Sequence, residues 1–176
     1  MSFQRGILAP VPRHARYLTF RLASRAHARK ALRALAAIVD GEQCVVGIGL
    51  SLVRALGRTV PGLKRFPAYA RKGARVPSIP QAMWCWLRGD DRGEIYRRSR
   101  ALVHALAPAF APTSEVDAFR HDIGRDLTGY IDGTENPKGA AARAAAIADG
   151  RGLDGSSFVA VQQWVHDFAR FDAMTQ

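Results

Sequence analysis

The sequence predicts an α+β fold in which an antiparallel sheet carries its helices on one face. Three observations predict it. Strand-length apolar runs, alternating or continuous, recur at 17–22, 44–50 and 82–88. Two amphipathic stretches, 24–39 and 93–107, lie between and after them with the spacing of core-facing helices. With a fourth strand around 116–122, the order becomes strand, helix, strand, strand, helix, strand. That order is the split βαβ, or ferredoxin-like, arrangement.

Each element has its own warrant. In 17–22, Leu18, Phe20 and Leu22 fall on one face of a half-buried strand. Ser24 offers an N-cap to the first helix, whose apolar stripe is Ala28, Leu32, Leu35, Ala36 and Val39. Asp40-Gly41 breaks that pattern, and 44–50 follows as a strand whose glycines permit close backbone approach. A short helix is expected over 51–56. Residues 57–80, rich in Gly, Pro, Lys and Arg, read as a long surface connection. After the strand at 82–88, Asp90 and Asp91 can cap the second long helix, with Ile95, Ser99, Leu102 and Leu106 facing inward. Pro108 and Pro112 end it.

Beyond this unit come a turn-rich loop at 124–139, an alanine-rich helix at 140–148 and an apolar run at 158–165 that reads as a strand. Residues 168–176 have helical character. The last strand either joins the first sheet at an edge or opens a second ferredoxin-like unit. The expectation adopted is the second, with the chain stopping early: residues 1–139 as the first unit with its loop, and 140–176 as a linker helix and the start of another.

Of 176 residues, 48% are apolar and 23% charged, the balance of a globular protein able to bury a core without staples. Cys44 and Cys85 each sit in an apolar run and read as buried thiols, which favours a reducing compartment. No signal-peptide h-region or membrane-length apolar run occurs, so a cytoplasmic protein without a membrane partner is expected. The net charge of +11 raises the question of nucleic acid. Its carriers are dispersed, as in Arg25, Arg29 and Arg33 on one helix face and Arg97, Arg98 and Arg100 on another, and such faces are usually solvated. No nucleic-acid partner is expected.

The chemistry lies in one stretch: Arg125-Asp126-Leu127-Thr128-Gly129-Tyr130-Ile131-Asp132-Gly133-Thr134-Glu135-Asn136-Pro137-Lys138-Gly139. Its glycines allow left-handed backbone, and Asp132-Gly133 is a tight-turn dipeptide. It also holds three carboxylates, Asp126, Asp132 and Glu135, on a loop of the kind that carries function. An ordinary polar loop would explain the spacing equally well.

Residues Gly129 to Pro137 resemble the G-x-x-D-G-T-x-N-P signature of dye-decolorizing peroxidases. Arg125-Asp126-Leu127-Thr128 and Phe158-Val159-Ala160-Val161-Gln162-Gln163-Trp164-Val165-His166 are similar to that family as well. Gly6-Ile7-Leu8 and Arg65-Phe66-Pro67-Ala68-Tyr69 resemble it more weakly. The resemblance implies two ferredoxin-like units with b-type haem between them, and hydrogen peroxide and organic donors such as dyes as reactants; a homo-oligomer is expected. It implies Asp132 on the distal side of the haem, where one carboxylate can carry a proton between the two peroxide oxygens. Gly133, Thr134 and Glu135 would line the haem edge.

In that family the proximal histidine lies downstream of the signature, here beyond Gln176. His14, His27, His104, His121 and His166 match no ligand position, so no metal ligand is assigned and the 176 residues alone are expected not to hold haem stably. Trp84, Trp86, Tyr130 and Trp164 could relay electrons, but read first as packing aromatics. Two other classes stay open: a ferredoxin-like fragment or oligomerisation module without haem, and a basic RNA-binding α+β domain.

Overall fold

The computed structural model describes residues 3–150 and 152–174. After a single 3-10 turn, Arg5–Ile7, the chain forms β1 (His14–Leu22), α1 (Arg25–Ala36), β2 (Cys44–Ile48), α2 (Leu50–Ala55), a small β3–β4 hairpin (Tyr69–Arg71 and Ala74–Val76), β5 (Met83–Gly89), α3 (Arg92–Leu106) and β6 (Phe110–Phe119). Two short helices follow, α4 (Gly139–Ala146) and α5 (Phe168–Asp172).

The sheet order is β2-β5-β1-β6, with every neighbour antiparallel. That is the ferredoxin-like order, and it follows from two split βαβ crossovers packing their helices on one side. Period-two alternation decides the faces. Leu18 and Phe20 of β1, Cys44 of β2, and Met83, Cys85 and Leu87 of β5 share one core with Ala28, Ala31 and Leu35 of α1 and Ile95, Leu102 and Leu106 of α3. Leu18 lies opposite Cys85, and both are fully buried. Burial pushes the Cys44 thiol up to about 11 and the Cys85 thiol higher still.

The opposite face carries Tyr17, Trp84 and Trp86. Tyr17 stacks between the two indoles at 6.0 and 6.1 Å. Arg88 lies beside them, 4.4 Å from the Trp86 ring. Its guanidinium donates to the carbonyls of Gly6, Glu42, Ala9 and Pro10, and so ties the N-terminal segment to β5. Gly6 is required for that tie, because a Cβ there would sit 2.5 Å from Val45 Cγ2 and 2.6 Å from the Glu42 carbonyl oxygen.

Several sequence expectations shift. The first helix ends at Ala36, and Ala31 rather than Ala36 completes its buried stripe. Ser24 stands at the N-cap without a capping bond, because its hydroxyl meets His27 Nδ1 at 2.9 Å instead. Asp91 caps α3 as expected, accepting from Glu94 N at 2.7 Å. The connection at 57–80 contains the β3–β4 hairpin, turned at Gly73 with φ +82°.

The fourth strand is Phe110–Phe119, not 116–122. Pro112 does not exclude it, because β6 is an edge strand and the register shifts at Thr19/Phe20 where Pro112 pairs. Asp122, at φ +46°, cannot continue it. The largest departure is 158–165, which forms no strand. Its alternation is strand-like, but among the described residues no sheet edge hydrogen-bonds to it; the one bridge nearby pairs Ala148 with Ser156. The alanine-rich helix is Gly139–Ala146 and the last helix is Phe168–Asp172; the end of the expected helix, Thr175 and Gln176, lies outside the described residues.

Candidate functional site

The loop after β6 is built from side-chain bonds to its own backbone. Asp126 organises it. Its Oδ1 accepts from Thr128 N at 2.9 Å, Thr128 Oγ1 at 2.6 Å and Tyr130 N at 3.2 Å. These donors, the Thr128 hydroxyl first, hold the Asp126 carboxyl below the usual aspartate range, and His166 nearby works the same way. The Asp126 N–H donates to the Tyr130 carbonyl at 2.9 Å, closing the turn. Arg125 adds a bond to the Gly129 carbonyl at 2.7 Å and an ion pair with Asp122 at 3.5 Å. Gly129 takes φ +92° inside this turn, a conformation that a side chain would strain.

A second turn follows at once. The Gly133 N–H donates to Asp132 Oδ1 at 2.8 Å, and the Asn136 N–H to the Gly133 carbonyl at 3.0 Å. Gly133 has φ +72°, and a Cβ there would lie 2.4 Å from Asn136 Nδ2. The Asn136 amide therefore packs over a bare glycine. Asp132, Gly133, Thr134 and Glu135 are all exposed on this turn. Among the described residues, Asp132 Oδ2 has no hydrogen-bond partner, and neither Thr134 nor Glu135 engages another side chain.

The turn thus ties the Asp132 carboxylate to the Gly133 N–H and leaves Thr134 and Glu135 exposed after it. Asp126 was named in sequence only as a carboxylate of the loop. Its organising role was readable in the Asp126-x-Thr128 spacing, which suits an Asx turn. Trp84 and Trp86 pack with Tyr17, whereas Tyr130 and Trp164 stand apart from every aromatic stack and are 69% and 72% exposed. His14 is half-buried at the start of β1; His27, His104, His121 and His166 are exposed. Among the described residues no three His, Cys, Asp or Glu side chains assemble as a metal site, and no helix is long and apolar enough to cross a membrane.

Comparison with known proteins covers this region and most of the rest of the chain. The family model described as "Dyp-type peroxidase, C-terminal" matches residues 124–176. A dye-decolorizing peroxidase of Brevibacterium linens is 31% identical over 171 residues, which are 90% of this chain and 47% of the relative. The chain spans about half the length of that curated relative. Among solved structures, DyPB from Rhodococcus jostii RHA1 superposes with a TM-score of 0.79 at 20% identity, covering 99% of this chain and 62% of the other. A variant of DypB from the same organism in complex with heme gives a TM-score of 0.66 at 26% identity, covering 78% of this chain and 49% of the other.

Proposed function

The chain belongs to the Dyp-type peroxidase family, and from that premise we propose that it forms part of a haem-dependent peroxidase that reduces hydrogen peroxide and oxidises organic donors. The observation that carries the reading is the state of Asp132. One carboxylate oxygen is fixed by the Gly133 amide, and the other is left without a partner on an exposed turn. A proton carrier needs that combination: a fixed orientation and a free oxygen.

Haem presents flat apolar faces and an anionic edge. Ile123, Leu127, Tyr130 and Ile131 expose large apolar side chains within ten residues of Asp132, and in this reading they would meet such a face. Gly133, Thr134 and Glu135 would hold the edge, where main-chain N–H groups can meet propionates. The cofactor would supply the redox equivalents and the place where peroxide binds. An iron-ligating histidine would, in this reading, come from the part of the relatives' length that this chain does not cover.

Asp132 Oδ2 would be the atom that takes the proton from one peroxide oxygen and returns it to the other, the haem supplying the two electrons for the O–O cleavage that releases water. The Gly133 N–H holds Oδ1, so the carboxylate does not rotate between the two transfers. Location in the cytoplasm and self-association belong to the same proposal.

The test uses the haemin-loaded protein with both halves of the relatives' length present. Asp132→Asn keeps the shape and removes the base. The bimolecular rate with peroxide should fall about 10²-fold or more, the range of acid–base catalysis, with the haem spectrum of the resting protein unchanged. An unchanged rate overturns the role of Asp132.

A further inference from the structure

At one end of the sheet, where β1 begins, β6 ends and α3 starts, lies a groove of about 760 Å³. The peroxidase reading makes no use of it. Four arginines line it, Arg13, Arg16, Arg92 and Arg120, against one aspartate, Asp117. Arg16 is already spent: it pairs with Asp117 at 3.3 Å and with Glu115 at 2.5 Å, and its guanidinium lies 5.1 Å from the Tyr96 ring. The other three remain available. Among the described residues the side chains of Arg13 and Arg92 bond to nothing, and Arg120 makes a single 3.3 Å contact to the Val11 carbonyl.

Two apolar walls complete the groove, Tyr96 and Phe119, the latter 63% exposed. The amide N–H groups of Arg92 and Gly93 at the start of α3 lie at this end too, beside the Asp91 carboxylate that caps the helix. Asp91 takes the Glu94 N–H, which leaves those of Arg92 and Gly93 without an acceptor.

We propose that this groove binds a phosphate-bearing aromatic anion of the nucleotide type, with its phosphate chain spread across Arg13, Arg92 and Arg120 and its ring against Phe119. Guanidinium forks match phosphate oxygens and keep their charge at every physiological pH. Three of them, reaching in from three separate backbone segments, suit a chain of phosphates better than a single carboxylate. The volume lies within the range of small-molecule sites, roughly 300–1,000 Å³.

Calorimetric titration of the purified full chain tests this, with ATP, pyrophosphate and adenosine as probes. ATP should bind at one site, more tightly than pyrophosphate. Arg92→Ala and Arg120→Ala should each weaken it about tenfold or more. Arg97→Ala should not, since Arg97 lies on the same helix but pairs with Glu94 outside the groove. Phe119→Ala should bring ATP down to the affinity of pyrophosphate. The proposal is overturned by the absence of saturable ATP binding, by several equivalent sites, or by an equal loss in Arg97→Ala, which would mark a diffuse positive field. It is overturned too if pyrophosphate binds as tightly as ATP, because the aromatic wall would then contribute nothing.

Discussion

Up to Phe119 the chain packs a core of large apolar side chains, although Val11, Tyr69, Ile79 and Phe119 itself stay exposed; beyond it, most of the large apolar side chains among the described residues are displayed. Leu18, Phe20, Leu52, Met83, Leu87, Leu102 and Leu106 are fully buried, and all belong to the first region. In the second, Ile147 alone among the described residues joins the buried apolar set, while Ile123, Trp164 and Val165 are 72%, 72% and 91% exposed. The backbone differs in the same way. The first region is held by long-range ladders between four strands. The second is held by aspartates bonding to main-chain N–H groups no more than four residues away: Asp126 to Thr128 and Tyr130, Asp132 to Gly133, Asp154 to Gly150, Asp167 to Arg170. A region so built can keep turns in shape without enclosing a core. Its apolar surface is left free to meet something else, and in the reading above that is haem and the rest of the peroxidase.

The sharpest way to break this comparison is to remove an aromatic side chain from each side of it. Phe20→Ala should cost about 3–5 kcal/mol, because it leaves a cavity among residues that cannot collapse together. Trp164→Ala removes a larger ring from an exposed position and should stay within about 0.5 kcal/mol. Urea unfolding of the two variants decides it. Similar losses would mean that the second region carries a core of its own, and the contrast would fail.

Arg88 sharpens the comparison from within the first region, being a charge where the pattern asks for apolar packing. It is 6% exposed, and burial works to lower its pKa. Arg88→Ala leaves the carbonyls of Gly6, Ala9, Pro10 and Glu42 without this donor. Such bonds to a charged group contribute about 1.5–3 kcal/mol each, and solvent re-entry at the N-terminal segment should limit the total to about 2–3 kcal/mol. Urea unfolding measures the total. Amide exchange should locate the loosening at Gly6, whose N–H donates to the Gly41 carbonyl at 2.8 Å. Exchange at Gly6 no faster than in the parent would separate Arg88 from the N-terminal segment.

The two regions were not equally legible in the sequence. In the first, period-two and period-3.6 patterns report burial directly, so the spacing alone places Leu18, Phe20, Ile95, Ser99, Leu102 and Leu106 inward. Pro112 stands inside the fourth strand, because what a proline does there depends on whether its strand is an edge, a fact of the sheet and not of the residue. In the second region the same alternation at 158–165 carried no such information. Alternation says which residues would share a face, but a strand also needs a neighbour to bond to, and none of the described residues supplies one. The loop was legible as chemistry through its Gly129 to Pro137 signature. Which aspartate holds the turn and which keeps an oxygen free is a matter of donors, and these became visible only when Thr128, Tyr130 and Gly133 had positions.

The smallest effect separates those two aspartates by pH. Hydrogen bonding, led by the Thr128 hydroxyl, lowers the Asp126 pKa from its ordinary value. A group depressed in the folded state stabilises its turn above the unfolded pKa, and that stabilisation is lost as pH falls through the lower folded value. Neutral solution should therefore leave the loop intact, and it should open only below the ordinary aspartate range near 3.8. The carboxyl carbon shift of Asp126, followed by NMR through acid titration, should have its midpoint below that value. Thr128→Val removes the 2.6 Å hydroxyl donor while leaving the amide bonds in place, so the midpoint should move up towards 3.8. The ladders of the first region, away from the turn where the Asp40 carboxylate accepts from the Glu42, Gln43 and Cys44 N–H groups, should keep their amide protection through the same range. If Thr128→Val leaves the midpoint where it was, the hydroxyl is not what holds Asp126. The order in the second region would then have to come from backbone geometry at Gly129 and Gly133.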